Sequence, residues 1–540
     1  MKVPVRSEQT VMEVLRRSVA THGDKAFLIE DGQAITYRAI DAASNRLAHG
    51  LAARGIGAGE TVLMMMANRA DVIVLWLALA KLGAVEVPVN SAYRGGVLAH
   101  IVNDSRATTL VCSREFLERI GDIAGQITGL ERIVVHDLGG DEAAVPETLA
   151  PRFEILPWSS LAVADDSPLE DCACYRDLMA VMYTSGTTGV SKGVMVCHAH
   201  AYEYSNCVTE VLDLRQDDIY YAPLPLFHIA GQWAVVYATM LAGGTVVLKE
   251  KFSVSEFWDD VARHRVNVSL LLGAMCNFLH RQPARPEDAD NTLDKVLVVP
   301  LIPEIAAFAR RFGLRVTTNY GSTEVCVPLR AGFDTPSPQL FALHDNASCG
   351  RIVCDRFEVR IVDEHDEEVP AGTVGELVVR PREPWITMLG YWNNPARTEE
   401  AWRNLWLHSG DAVRRDAEGN HYFVDRIKDA IRRRGENISS IEVENEIGAH
   451  PAVLECAVYP VPSEHTEDEV MAAVVVKPGA ALDAAALLAW LAPRLSDFAL
   501  PRYIDLVETL PKTQTGKIQK FPLRERGVGA TTWDRLAQSC

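Results

Sequence analysis

Between Tyr183 and Gly193 the chain places Thr184, Ser185, Gly186, Thr187, Thr188, Gly189, Ser191 and Lys192, directly after the apolar run Leu178 to Met182. Glycines let a backbone bend tightly and turn its N–H groups toward an anion, and hydroxyls add neutral donors. Lys192 supplies a compact positive charge. Together these residue types read as a loop for a nucleotide polyphosphate. The common phosphate-loop pattern has Gly immediately before its lysine, and Ser191 stands there instead. A plain surface loop can have the same composition, so companion residues must decide.

Four further blocks supply them: Tyr320-Gly321-Ser322-Thr323-Glu324, His408-Ser409-Gly410-Asp411, Asp425-Arg426-Ile427-Lys428-Asp429 and Pro511-Lys512-Thr513-Gln514-Thr515-Gly516-Lys517. Taken singly, each admits a plainer reading. Glu324 after Ser-Thr suits a helix start, and Asp411 after Ser-Gly suits a turn. Arg426 could pair with Asp425 or Asp429, Tyr320 could be a core tyrosine, and Lys517 a solvated lysine. In this order and at this spacing, however, the five blocks resemble the superfamily of acyl- and aryl-CoA synthetases, adenylation domains and luciferases. These are AMP-forming, adenylate-making enzymes. The resemblance runs from Gly23-Asp24-Lys25 to Ile518-Gln519-Lys520, nearly the whole chain.

The resemblance implies a reaction and a set of roles. A carboxylic acid is activated by ATP with loss of pyrophosphate, and the acyl-adenylate then passes to coenzyme A with loss of AMP. Two anions meet in the first step, so cations and dense donors are required. Thr184, Ser185, Gly186, Thr187, Thr188 and Lys192 would hold the β- and γ-phosphates. Asn319, Tyr320, Gly321 and Ser322 would line the adenine side, with Tyr320 stacking on the base. Thr323 would donate to the α-phosphate, and Glu324 with Thr184 would bind Mg²⁺. Asp411 would receive the ribose hydroxyls, assisted by Arg426. Lys517 would enter the site for the first step and withdraw for the second, the C-terminal part turning about Lys428. Arg434, Gly435 and Glu436 would then face coenzyme A. His228, in Pro225-Leu226-Phe227-His228, resembles a gate at the mouth of the acyl pocket, although a buried histidine reads the same way from sequence.

Three departures matter. Ser191 replaces the usual Pro before the loop lysine, Arg434 replaces a glycine, and Leu297-Val298-Val299-Pro300-Leu301-Ile302-Pro303 lacks the glycine most members carry beside adenine. Crotonobetaine/carnitine–CoA ligases also lack that glycine, and the chain resembles that branch most. The acyl pocket is expected from His228 to Gln232, Gly273 to Asn277, Leu297 to Leu301 and Thr317 to Gly321. These segments hold no acidic side chain, so an amino-acid substrate is not expected. A largely apolar acid is.

The elements that must position these residues read as α/β. Ile40, Ala43, Leu47 and Leu51 recur at helical spacing after an extended Ile35-Thr36-Tyr37, and 72–82 reads as a buried helix. Thr61 to Met66, Val85 to Val89, Thr108 to Cys112 and Ile133 to His136 read as strands, with Pro88 at an edge or end. Residues 345–424 are β-rich, closer to a small barrel than to a layer. Segments Ile441 to Ile447, Val453 to Val461, Glu469 to Lys477 and Leu482 to Leu495 give the last part its own βαβ rhythm. The expected architecture is a large multi-subdomain α/β N-terminal domain, 1–425, a hinge at 426–428, and a small mobile α+β C-terminal domain, 429–540.

Composition narrows the partners. At 540 residues the chain exceeds one core, and 48% hydrophobic with 23% charged content describes an ordinary globular protein. A net charge of −19 argues against a nucleic-acid surface, and the densest basic run, Arg432-Arg433-Arg434, reads as a local site for a phosphorylated ligand or a solvated face. The N-terminus lacks a signal-peptide core, and no apolar run is long enough for a transmembrane segment. Eleven scattered cysteines fit a reduced, cytoplasmic protein. His198 and His200 beside Cys197 offer metal-ligand types, but residues two apart on a helix do not share a face. The expected partners are therefore a small carboxylic acid, ATP and coenzyme A, with a homodimer left open. An acyl-AMP ligase loading a carrier protein is the alternative enzyme, and a scaffold protein the alternative of another class.

Overall fold

The computed structural model describes residues 6–138, 145–161, 163–170, 172–184, 191–302, 304–333, 348–427, 431–433, 436–438, 440–463, 468–495, 497, 499–513 and 518–537. The run Thr61–Met65 forms a strand buried along its length. Val62 and Met64 turn to one hydrophobic cluster and Leu63 and Met65 to another, because successive side chains of an extended chain point to opposite faces. Strand Val268–Leu272 divides in the same way: Leu270 joins the first cluster and Leu271 a third. The first cluster is thus a middle layer shared by two sheets. Helices Tyr37–Ala52, Ala70–Lys81 and His198–Val211 fill it.

One sheet has eight strands in the order Gly390–Tyr391, Lys192–Cys197, Leu178–Thr184, Val85–Pro88, Thr61–Met65, Thr109–Ser113, Arg132–His136 and Glu154–Pro157. It is parallel from Leu178–Thr184 onward and antiparallel at the other edge. Pro88 ends its strand inside this sheet, where the missing N–H costs no ladder bond beyond the end.

The other sheet has thirteen strands. Its parallel part runs through Ala26–Glu30, Thr245–Leu248, Ile219–Ala222, Val268–Leu272, Lys295–Val299 and Arg315–Ser322. It then turns antiparallel through Cys326–Ala331, Ser348–Ile352, His421–Arg426, Leu407–Arg415, Val374–Pro381 and Phe357–Val362. The β-rich segment expected from sequence is this antiparallel end, and Phe357–Val362 curls back to pack against Cys326–Ala331 and Ser348–Ile352.

Beyond residue 430 a separate four-stranded sheet joins Val453–Pro462, Asp468–Val476, Tyr503–Leu506 and Trp533–Asp534 around its own clusters. Strands Asp468–Val476 and Tyr503–Leu506 are parallel and joined through helix Ala484–Leu491, the βαβ unit read from sequence. Several boundaries differ from expectation by a residue or more. Tyr37 opens its helix rather than closing the strand, because Thr36 caps it by accepting from the Ala39 N–H. The second C-terminal helix stops at Leu491, short of Leu495.

Candidate active site

Strands Leu178–Thr184 and Lys192–Cys197 form an antiparallel pair with Thr184 opposite Lys192. The glycine-rich loop therefore joins the two arms of a hairpin, with its first hydroxyl and its lysine at the two stems. Ser185, Gly186, Thr187 and Thr188 lie outside the described residues. So do Lys428, Arg434, Gly435 and Lys517, and with them the side chain of Glu436.

A second hairpin faces the first. Strands Arg315–Ser322 and Cys326–Ala331 pair with Ser322 opposite Cys326, and the Ser322 hydroxyl accepts from the N–H groups of Glu324 and Val325, both at 3.2 Å. A Cβ on Gly321 would sit 2.4 Å from the Cys326 carbonyl oxygen, so only glycine lets the strands close there. The turn carries the Glu324 carboxylate to the stem of the first hairpin. There Thr184 Oγ1 donates to Glu324 Oε1 at 3.5 Å. Buried Asn319 and Thr323 flank the same turn.

Tyr391 completes the group. Its hydroxyl lies 3.4 Å from the same Glu324 oxygen, and the Lys192 ammonium stands 5.1 Å over its ring, within cation–π range. Burial, and next the Glu324 charge, push the Tyr391 hydroxyl well above the usual phenol value, so it donates and does not ionise. The residue is held from both sides: strand Gly390–Tyr391 pairs with Lys192–Cys197, and the Tyr391 N–H reaches Thr398 Oγ1 at 2.8 Å. Nothing in the local sequence singles Tyr391 out. Only an aromatic pair after Gly390, ahead of the Asn394-Pro395 helix start, could have drawn attention to it.

The third part lies farther along the antiparallel end. Asp411 and Arg426 are opposite each other on paired strands, with Arg426 Nε 2.8 Å from Asp411 Oδ1. The Tyr320 hydroxyl donates to Asp411 Oδ2 at 2.5 Å. Asp411 is 3% exposed, and burial with its charge raises the Tyr320 hydroxyl far above its ordinary value. The preceding residues build the mount: Ser409 Oγ donates to the Leu377 carbonyl at 2.6 Å, Gly410 N–H to Glu376 Oε1 at 3.0 Å, and His408 Nδ1 lies 2.9 Å from Glu376 Oε2. Burial alone would raise the Glu376 carboxyl; the bonds from His408 and Gly410 prevail and hold it below the usual carboxylate range.

Three further residues singled out in the sequence have defined surroundings. His228 is exposed and caps the turn Ile229–Gly231, its Nδ1 accepting from the Ala230 N–H at 3.1 Å. The segment Leu297 to Pro303, which lacks a glycine, is approached closely by Gly273, on which a Cβ would lie 2.9 Å from the Pro300 carbonyl oxygen. Arg433 is neither a solvated residue nor a phosphate site. It is 4% exposed and pairs with Glu469 at 2.7 Å.

The fold is that of the adenylate-forming enzymes. An ATP-bound MatB from Rhodopseudomonas palustris superposes with a TM-score of 0.80 at 26% identity, over 95% of this chain and 98% of that one. The o-succinylbenzoate CoA synthetase of Bacillus subtilis, in complex with its acyl-adenylate intermediate, does so with a TM-score of 0.80 at 25% identity, over 95% and 97%. The chain belongs to the AMP-binding enzyme family: residues 15–392 match the AMP-binding enzyme model and residues 442–517 the AMP-binding enzyme C-terminal domain. Among its relatives, crotonobetaine/carnitine–CoA ligase of Citrobacter koseri is 32% identical over 93% of this chain and 96% of its own length. The same enzyme of Salmonella typhi is 30% identical over the same shares.

Proposed function

We propose that the chain is an ATP-dependent carboxylic acid–CoA ligase. The observation that carries this reading is the meeting of Thr184, Glu324, Tyr391 and Lys192 at the stems of two facing hairpins. One carboxylate, two hydroxyls and one ammonium there suit a metal-bound triphosphate. Glu324 and the Thr184 hydroxyl form an all-oxygen donor set that fits Mg²⁺, which when bound offsets charge on phosphate oxygens. Lys192 and the loop N–H groups would hold the β- and γ-phosphates, and Thr323 the α-phosphate. Asp411, held by Tyr320 and Arg426, is a two-oxygen acceptor of the kind that ribose hydroxyls call for.

In the first step a carboxylate oxygen of the acid bonds to the α-phosphorus, and the bond from that phosphorus to the bridging oxygen breaks. Pyrophosphate leaves with the electron pair. In the second step the coenzyme A sulfur bonds to the acyl carbon, its proton passes to solvent, and AMP departs with the carbon–oxygen pair. Lys517 would serve step one, and Arg434, Gly435 and Glu436 step two, after the C-terminal part turns about Lys428. The described cysteines are free thiols, and no helix among the described residues is long and apolar enough to cross a membrane. Both fit a cytoplasmic enzyme.

The test is pyrophosphate release from ATP with a panel of carboxylic acids, with and without coenzyme A. Release that depends on coenzyme A supports the ligase. Release indifferent to it would instead favour an acyl-AMP ligase that loads a carrier protein.

A further inference from the structure

Helix His198–Val211 packs in the middle layer against strands Arg315–Ser322 and Cys326–Ala331, which carry the Glu324 turn, and against the π-helical turn Gln232–Tyr237. From the Glu324 turn inward runs a line of rings. Tyr204 neighbours Cys326. Its ring is 5.9 Å from that of Trp233, which is 6.3 Å from His200. Tyr220 adjoins Tyr204 from strand Ile219–Ala222. One residue before Trp233, Gln232 reaches the opposite sheet, its Nε2 donating to both Glu86 oxygens at 3.0 and 2.9 Å.

This interior is not plain hydrocarbon. Trp233 Nε1, both His200 nitrogens, the Tyr220 hydroxyl and Gln232 Oε1 are buried and have no protein partner. A buried donor or acceptor left unpaired is costly, and folded proteins almost always supply a partner. Here the unpaired atoms gather around one turn, and that turn is π-helical, a geometry found frequently at functional sites. The surroundings also set the charge. Burial lowers His200 to about 3 and raises Glu86 to about 8, so both are uncharged near neutral pH. A charged group placed among them would lose its hydration without a counter-ion. A neutral hydroxyl or carbonyl would not.

We propose that Trp233, His200, Tyr220 and Gln232 form the far end of the acyl pocket, and that the acid activated carries a neutral hydrogen-bonding group remote from its carboxylate. This rests on the ligase reading and narrows its substrate class from an apolar acid to a hydroxy or keto acid. Trp233 offers a donor, Gln232 an acceptor, and His200 one of each, so either oxygen function finds a partner.

The experiment compares kcat/KM for coenzyme A-dependent pyrophosphate release between straight-chain alkanoic acids and their length-matched terminal hydroxy and keto counterparts. In the unmodified protein the oxygenated acid is expected to exceed its parent by about tenfold or more, one good hydrogen bond in a dry site. Trp233→Phe and Gln232→Leu, which keep much of the shape, should each pull that ratio toward one. The ratio is taken within each protein, so a loss of folded fraction cancels, and the unmodified protein alone decides if both variants fail to fold. Alkanoates matching or exceeding their oxygenated partners would overturn the proposal and assign the unpaired atoms to buried water. Preference for a quaternary-ammonium acid would overturn it too, by showing Glu86 ionised against a cation. Silence with every acid would overturn the ligase reading and the pocket with it, an outcome distinct from either.

Discussion

The Tyr391 hydroxyl lies 3.4 Å from Glu324 Oε1, the carboxylate oxygen that Thr184 also approaches. The same tyrosine carries the loop lysine over its ring. One side chain therefore sets the spacing between the cation and the carboxylate at the two hairpin stems. Tyr391→Phe should keep the cation–π contact and loosen Glu324, lowering kcat/KM for ATP by about threefold to tenfold, the worth of one hydrogen bond. The Mg²⁺ concentration giving half-maximal rate should rise. Tyr391→Leu removes both contacts and should cost more. Steady-state kinetics with ATP and Mg²⁺ varied separately would read this, and equal losses in the two variants would rule out a role for the ring.

Asp411 is nearly sealed from water between Tyr320 and Arg426. Bonds to a charged acceptor are worth about 1.5–3 kcal/mol each. Tyr320→Phe should therefore raise the KM for ATP by roughly tenfold or more with a smaller change in kcat. Asp411→Ala takes the carboxylate from beside Tyr320 and the half-exposed Arg426 and should lower activity much more than thermal stability. Unchanged nucleotide affinity in Asp411→Ala, measured by calorimetry, would remove Asp411 from the nucleotide site.

Gly321 closes the hairpin that presents Glu324, and a methyl there would meet the Cys326 carbonyl oxygen at 2.4 Å. Because the obstacle is backbone, Gly321→Ala must push the strands apart, at a cost of about 1–3 kcal/mol. Activity should fall further than stability, since the displaced turn carries Glu324. Melting temperature and kcat measured on one preparation would test this; a variant that keeps full activity would show the turn to be tolerant.

Glu86 gives a pH signature. Its carboxyl is raised to about 8 by burial, against which the Gln232 bond works, while an unfolded glutamate titrates near 4.5. Below that lower value both states hold the proton and the group is silent. Between the two values the unfolded chain ionises while the fold must keep its proton, so stability falls as pH rises. Glu86→Gln removes the titration. Its stability relative to the unmodified protein should therefore climb from about pH 5 to about pH 8 and then level off. Parallel denaturation curves across that window would contradict the placement.

The elements legible in the sequence were those whose own residues carry the instruction. Thr61 to Met65 is a largely apolar run with both faces buried, and it forms a parallel strand. The five chemistry-bearing blocks stand out in the sequence for another reason, being local in it. Tyr391 was not, because its partners Lys192 and Glu324 lie far along the chain and no local pattern records the meeting. Arg433 was misread because a run of arginines looks solvated. Arg433 stands two residues after buried Ile431 on one strand, so both face the same way, and that face is the interior, where Glu469 pairs with it. Gly273 was read as pocket lining; its closeness to Pro300 emerges only once strands Val268–Leu272 and Lys295–Val299 lie side by side.

The central claim is that Glu324, held between Thr184 and Tyr391, serves acid activation by ATP ahead of thioester formation. Its most direct test is Mg²⁺-dependent pyrophosphate release with a panel of carboxylic acids, in the unmodified protein and in Glu324→Gln, each with and without coenzyme A. The result expected is release that requires an acid, continues past one equivalent per enzyme only with coenzyme A, and falls by about a hundredfold or more in Glu324→Gln, a loss of the size seen when one transition-state contact is removed. Release that proceeds undiminished in Glu324→Gln would contradict the assignment of the site.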